Sequence, residues 1–212
     1  GMQAAEAGGY TYHWGENAIR KVDLLILEGQ LESAEKLLQE VTQRLADNDT
    51  ISWHLKSSSG ELAWAKGDIE GAEKTFAEAI EQTKGTFWET ALWFRLAKLR
   101  ERIGNDEGKV AAWQKTRECA KLTQDYHQYL LASLDYGRYL LEEGQQRKGQ
   151  EVLVNILKLA FIEKQYGLLS EALALLDADL DIIEKLQESE TTQNFPFRMS
   201  LKLDELGFES QG

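Results

Sequence analysis

Four glycines, Gly29, Gly67, Gly104 and Gly144, recur 38, 37 and 40 residues apart, each between two apolar runs of helical period. Their surroundings recur with them. Nine residues past each stands a large apolar residue: Leu38, Phe76, Trp113 and Leu153. Seven residues before the last three stands a small one: Gly60, Ala97 and Gly137. Five residues past stands Ala34, Ala72, Lys109 or Gly149. Small residues let paired helices approach closely, and a large one fills the space between hairpins. A fixed period of this length marks stacked units, each too small to bury its apolar face alone. The stretch 60–80, GELAWAKGDIEGAEKTFAEAI, carries the whole set.

The chain of 212 residues has one proline, Pro196, near its end, so no proline interrupts residues 17–187. The apolar period and cap residues predict four helix hairpins. They pair residues 17–28 with 31–46, 51–66 with 69–84, 87–103 with 107–122, and 126–143 with 147–163. A last helix is expected over 168–187, with Leu169, Ala172, Leu173, Leu176, Leu180 and Ile183 on one stripe. Residues 48–50 form a capping turn, and Thr86 and Asp125 are placed to cap the helices that follow them. The domain plan is a flexible arm over 1–13, a repeat domain over 14–188 and an extended tail over 189–212. Gly1 ahead of Met2 reads as a cleavage scar.

These offsets resemble the tetratricopeptide repeat, in a long variant of about 37–40 residues per repeat. Gly60, Gly67, Ala72, Phe76 and Ala79 match that family's small residue, turn glycine, alanine, large aromatic and second alanine. Gly137 and Gly144 match in the fourth repeat, and Gly29 and Ala34 in the first. The chain departs in its longer repeat, in Lys109 at the packing position and in the missing repeat-ending proline. The resemblance implies an all-α fold, a right-handed superhelical array of antiparallel hairpins with about nine helices. It also implies a non-catalytic scaffold that holds a peptide or protein partner on its concave face. Long repeats of this kind are similar to those of signal-responsive bacterial regulators. That likeness implies the alternative, a sensing domain that holds a small molecule or peptide and changes its conformation.

Composition narrows the partner. The net charge of -12 and pI near 4.8 oppose binding to phosphate backbones, so no nucleic acid is expected. The longest apolar stretch, 152–162, is too short to span a bilayer, and no membrane partner is expected. Cys119 is the only cysteine, which fits a reducing compartment, and no secretory leader is visible; a cytoplasmic protein is expected. No phosphate-cradling loop, paired metal histidines or nucleophile elbow is present, so neither an enzyme nor a cofactor or metal site is expected. His13, His54 and His127 are dispersed, and Cys119 reads as an inert packing thiol. Asp177, Asp181 and Glu184 share one face of the expected last helix, a solvated row rather than a converging cation site.

The charge is uneven. Residues 168–190 hold seven carboxylates and one lysine, whereas 85–109 hold five basic and four acidic residues. The family resemblance places Arg20, Asp23, Ser58, Glu61, Trp64, Phe94, Arg95, Lys98, Arg102, Asp135, Arg138 and Glu142 on the inner faces of the first helices. Arg95, Lys98 and Arg102 share a face by spacing alone. The stripe Trp88, Leu92, Leu99 and Ile103 lies elsewhere on that helix. A basic strip in an acidic protein suits an acidic segment of a partner, with Trp64, Phe94, Arg95, Lys98, Arg102 and Arg138 as the contact residues. The bland alternative is a solvated face paired internally with Glu61 and Glu142. The family's carboxylate-clamp pattern is not reproduced. A second copy of the chain is a further partner class, giving a homodimer. In the tail, Phe195, Phe197, Met199, Leu201 and Leu203 alternate with polar residues, the period of an extended segment that caps the array or fills a groove.

Overall fold

A computed structural model describes residues 11–45 and 49–178. Helices make up most of these residues, in the order α1 (Thr11–Leu27), α2 (Leu31–Arg44), α3 (Asp49–Ala65), α4 (Ile69–Thr83), α5 (Phe87–Arg102), α6 (Asp106–Thr123), α7 (Tyr126–Glu142), α8 (Gln146–Ile162) and α9 (Tyr166–Leu176). The chain divides into two compact units, Gly1–Lys109 and Val110–Gly212, with the boundary inside α6.

The turns follow from a recurring backbone motif. Gly67 sits at φ +85°, its N–H bonded to the Trp64 carbonyl at 2.9 Å, while the Asp68 N–H reaches the Ala63 carbonyl at 2.9 Å. A left-handed residue with these two bonds satisfies the last carbonyls of α3 and reverses the chain. The Asp68 carboxylate then accepts from the Gly71 N–H at 3.0 Å and caps α4. Asp125 caps α7 in the same way, through the Gln128 N–H. Thr86 departs from its expected role. Its hydroxyl donates back to the Thr83 carbonyl at 2.6 Å, and the Glu89 carboxylate accepts from the Gly85 N–H at 2.7 Å.

In the first unit, one core joins α1 and α2 to the inner side of α3 through Trp14, Ile19, Val22, Leu38, Val41, Ile51 and Leu55. A second joins α4 and α5 through Phe76, Ile80, Leu92, Leu96 and Leu99, with Trp53, Trp64 and Trp93 packed against it. The repeat offsets act as expected. A Cβ on Gly60 would meet the Phe76 ring at 3.0 Å, so the small residue makes room for the large one. In the second unit, Gly137 stands in the same relation to Leu153, at 2.7 Å from a built Cβ. The core of that unit is formed by Leu130, Leu134, Leu157, Leu169 and Leu173 from α7, α8 and α9.

Two helix boundaries and one apolar stripe differ from expectation. Helix α1 begins at Thr11 rather than near Asn17, because Trp14 is buried and Arg44 lies over its ring at 4.4 Å. Helix α9 ends at Leu176 instead of running on through 187. Asp177 is left-handed at φ 51°, and the Ala178 N–H bonds to the Leu173 carbonyl at 3.1 Å, which closes the helix. Asp177 therefore closes α9 rather than standing on one of its faces, and Asp181 and Glu184 lie outside the described residues. On α5, Trp88 and Ile103, expected within the apolar stripe, are 46% and 39% exposed, while Leu92 and Leu99 are buried. The rest of the acidic row and the tail lie outside the described residues.

Candidate functional site

The helix period places charged residues at matching heights on the first helices. Asp23 and Glu61 each stand six residues before their turn glycine, and Arg95 nine before its own. The fold brings these three together in the first unit, from α1, α3 and α5. The Ser58 hydroxyl, fully buried, donates to Asp23 Oδ1 at 2.6 Å. Arg95 Nη1 donates to the Ser57 hydroxyl at 2.5 Å, and Arg95 Nε lies 3.6 Å from Glu61 Oε1. His54 Nε2 lies 4.0 Å from Asp23 Oδ2, while its Nδ1 is buried without a hydrogen-bond partner. Asp23, Ile26, Leu27, Glu61 and Arg95 line a cleft of about 160 Å³.

Burial acts on both titratable groups on α3. It pushes the Glu61 carboxyl above its ordinary range; Arg95 pulls it back and Asp23 adds to the rise. Burial also holds His54 below its ordinary value, against the pull of Asp23. His54 is thus a packing histidine of this polar seam.

Aromatic rings flank the seam. On one side the Trp53 and Trp88 rings stack at 4.4 Å, with Phe87 edge-on to Trp88 at 5.5 Å. On the other, the Arg102 guanidinium lies 5.7 Å over Trp64, and the Lys98 ammonium lies 5.7 Å over Phe94 and 3.0 Å from Glu101. Trp64 also packs against the α4–α5 core. The strip read from the sequence is therefore already engaged within the protein: Arg95 by Ser57 and Glu61, Lys98 by Glu101 and Phe94, Arg102 by Trp64. Arg138 belongs to the second unit, where it pairs with Asp135 at 3.3 Å and with Glu171 of α9.

Asp23, Ser57, His54 and the Trp53–Trp88 pair were not singled out as contact residues by sequence reasoning. A signal for Asp23 existed, since it occupies the repeat position of Glu61. Elsewhere, Arg117 lies between the rings of Tyr129 and Tyr136, at 5.6 and 5.4 Å, and Cys119 is half-buried. Among the described residues no three histidine, cysteine or acidic side chains cluster as a metal site, and no helix is long and apolar enough to cross a membrane.

Comparison with solved structures places this architecture. The chain is similar to a variant of a putative kinesin light chain from Podosopora anserina with nearly identical TPR-like repeats. The TM-score is 0.58 at 14% identity, covering 82% of this chain and 91% of that one. It is also similar to BtubC (BKLC) from P. vanneervenii, with a TM-score of 0.61 at 14% identity, covering 94% and 90%. The chain has the tetratricopeptide-like helical-repeat fold. Neither a family model nor a curated protein sequence matches it. TPR-like folds are generally non-catalytic scaffolds often used for protein binding. The narrower likeness to signal-responsive bacterial regulators finds no support in these two structures.

Proposed function

We propose that this chain is a non-catalytic, cytoplasmic scaffold or regulatory module that holds a protein segment against its first helices. In the first unit the contact residues are Trp64, Phe94, Arg95, Lys98 and Arg102, around the cleft and its flanking rings. Arg138 is proposed to contact the partner from the second unit. The observation that carries this reading is the open cleft on α1, α3 and α5, flanked by half-exposed aromatic rings. A row of rings and paired charges offers a long partner apolar anchors and polar contacts at fixed intervals. The cleft favours a polypeptide over the sensing alternative. It is half-open rather than enclosed, and three of its five lining residues, Asp23, Glu61 and Arg95, are charged, unlike the mostly apolar lining of a small-molecule pocket.

A photo-crosslinking residue at position 98 tests the proposal in source lysate, beside the same residue at position 78 on α4. A partner crosslinked at 98 and not at 78, and lost when the same chain also carries Arg102→Glu with unchanged helicity, is the expected result. Equal crosslinking at both positions, or capture insensitive to the charge reversal, would refute it.

A further inference from the structure

We propose that the cleft between Asp23 and Glu61 receives a basic side chain, lysine or arginine, from the partner segment. This deepens the scaffold reading and rests on it.

The first argument is charge. Two carboxylates, Asp23 and Glu61, face the cleft with one guanidinium, Arg95. Arg95 already spends Nη1 on Ser57 and holds Nε near Glu61, so its charge is committed to the protein. His54, the nearest other group able to carry positive charge, is held towards its neutral form by burial. The cleft is left with one carboxylate more than it has cations. An entering ammonium or guanidinium balances that charge and gives Glu61 a second donor.

The second argument is shape. About 160 Å³ is close to the ~150 Å³ of a protein cavity that takes up benzene, a molecule of six heavy atoms. A lysine side chain beyond Cα has five heavy atoms. The remaining walls are Ile26 and Leu27, and Leu27 is 84% exposed at the end of α1. An aliphatic stem lies on these residues while its charged head reaches the carboxylates, the usual division of a long basic side chain. An acidic side chain would gain only the outward edge of a guanidinium already bonded elsewhere, and it would face Asp23 and Glu61.

The test uses the full chain, labelled with nitrogen-15, and three probes of one length: butylammonium, butyrate and butanol. Butylammonium is expected to shift the amides near Asp23, Leu27, Glu61 and Arg95 saturably, with butyrate and butanol giving none of these shifts. Glu61→Gln should weaken butylammonium about tenfold, the scale of a lost charge-assisted bond, and Leu27→Ser should weaken it without risk to the core. Glu70→Gln, exposed on α4, should leave it unchanged. Saturable binding of butyrate in place of butylammonium would overturn the proposal in favour of an acidic occupant. Failure of every probe would overturn it too, showing a cleft that holds only water. Either failure leaves the scaffold reading separately testable, because crosslinking at position 98 does not require a basic residue in the cleft.

Discussion

In the first unit hydrogen-bonded polar side chains join α1, α3 and α5 beside the apolar cores and line a cleft, whereas in the second α7 meets α8 and α9 mainly through Leu130, Leu134, Leu157 and Leu173, with the Arg138–Glu171 pair added between α7 and α9. The polar seam splits the first unit's apolar residues into two clusters, one on each side. Its hydrogen bonds are directional, so they fix which residues face one another, and each has a charged partner, for which the net contribution is about 1.5–3 kcal/mol before screening by solvent. The second unit gains its cohesion from buried area. What sets the first unit apart is that its charged side chains line an open cleft, and that is where a partner could find something to recognise.

The comparison breaks most forcefully at the apolar cores. Phe76 is fully buried against Gly60, so Phe76→Ala should cost about 3–5 kcal/mol. Leu153, packed on Gly137, should cost about 2–5 kcal/mol when cut to alanine. Hydrogen exchange of amides in each unit checks both. Protection lost first around α4 and α5 for Phe76→Ala, and around α7 and α8 for Leu153→Ala, is expected. Ala72→Leu comes next. Ala72 has no exposed surface in the α4 core, so the larger side chain should overpack it by roughly 1–3 kcal/mol. A melting temperature equal to that of the unaltered chain would contradict the repeat alignment.

The seam sharpens the comparison through pH. Glu61 has a raised carboxyl pKa in the fold, so the folded chain binds its proton more readily than the unfolded one. Acidification should therefore add stability from Glu61 between its raised value and the ordinary 4.5. His54 has the opposite sign. Its lowered value means that the stability it supports is present above 6.5 and is lost as pH falls from there towards the folded value. The groups facing them are Asp23, Glu16 and Arg20 from α1 and Arg95 from α5. Each slope is bounded at about 1.4 kcal/mol per pH unit for one proton. Glu61→Gln should remove the gain on acidification, and His54→Gln the loss. Denaturant midpoints across the acid-to-neutral range measure both; identical profiles for both variants and the unaltered chain would mean that the seam does not titrate as described.

Much of this was legible in the sequence, and the exceptions have physical causes. Hairpins are set by local signals, namely a left-handed turn residue and a small residue facing a large one, and these appear as letters at fixed offsets. The equivalence of Asp23 and Glu61 was equally visible. What spacing cannot show is which side-chain atoms are already taken. Arg95, Lys98 and Arg102 share a face by period, yet whether each cation is free depends on Ser57, Glu101 and Trp64, which reach it through rotamers. The end of α9 is not legible because Asp177 is polar and helix-compatible as a letter. Only its backbone conformation marks the stop.

The turns give the smallest expected effect and the last test of the two units. Among the described residues, the first unit places glycine at its left-handed turn positions, Gly29, Gly67, Gly85 and Gly104. The second has Gly144 there, but also Gln124, Lys164 and Asp177, with φ of 57°, 55° and 51°. A side chain in that conformation costs roughly 1–2 kcal/mol. Glycine escapes the cost but gives back about 0.5–1 kcal/mol through the greater freedom of its unfolded chain. Lys164→Gly should therefore gain about 0.5–1 kcal/mol, since Lys164 holds the turn between α8 and α9 through its backbone N–H, which glycine keeps. Gly67→Ala should run the other way and lose about 1 kcal/mol at φ +85°, although no atom lies within 4 Å of the added Cβ. Opposite signs for the two variants, read as shifts in denaturant midpoint, would establish that the second unit carries turn strain that the first avoids. A loss of stability in Lys164→Gly would mean instead that the lysine stem covers the end of α8, and that its packing outweighs the backbone cost.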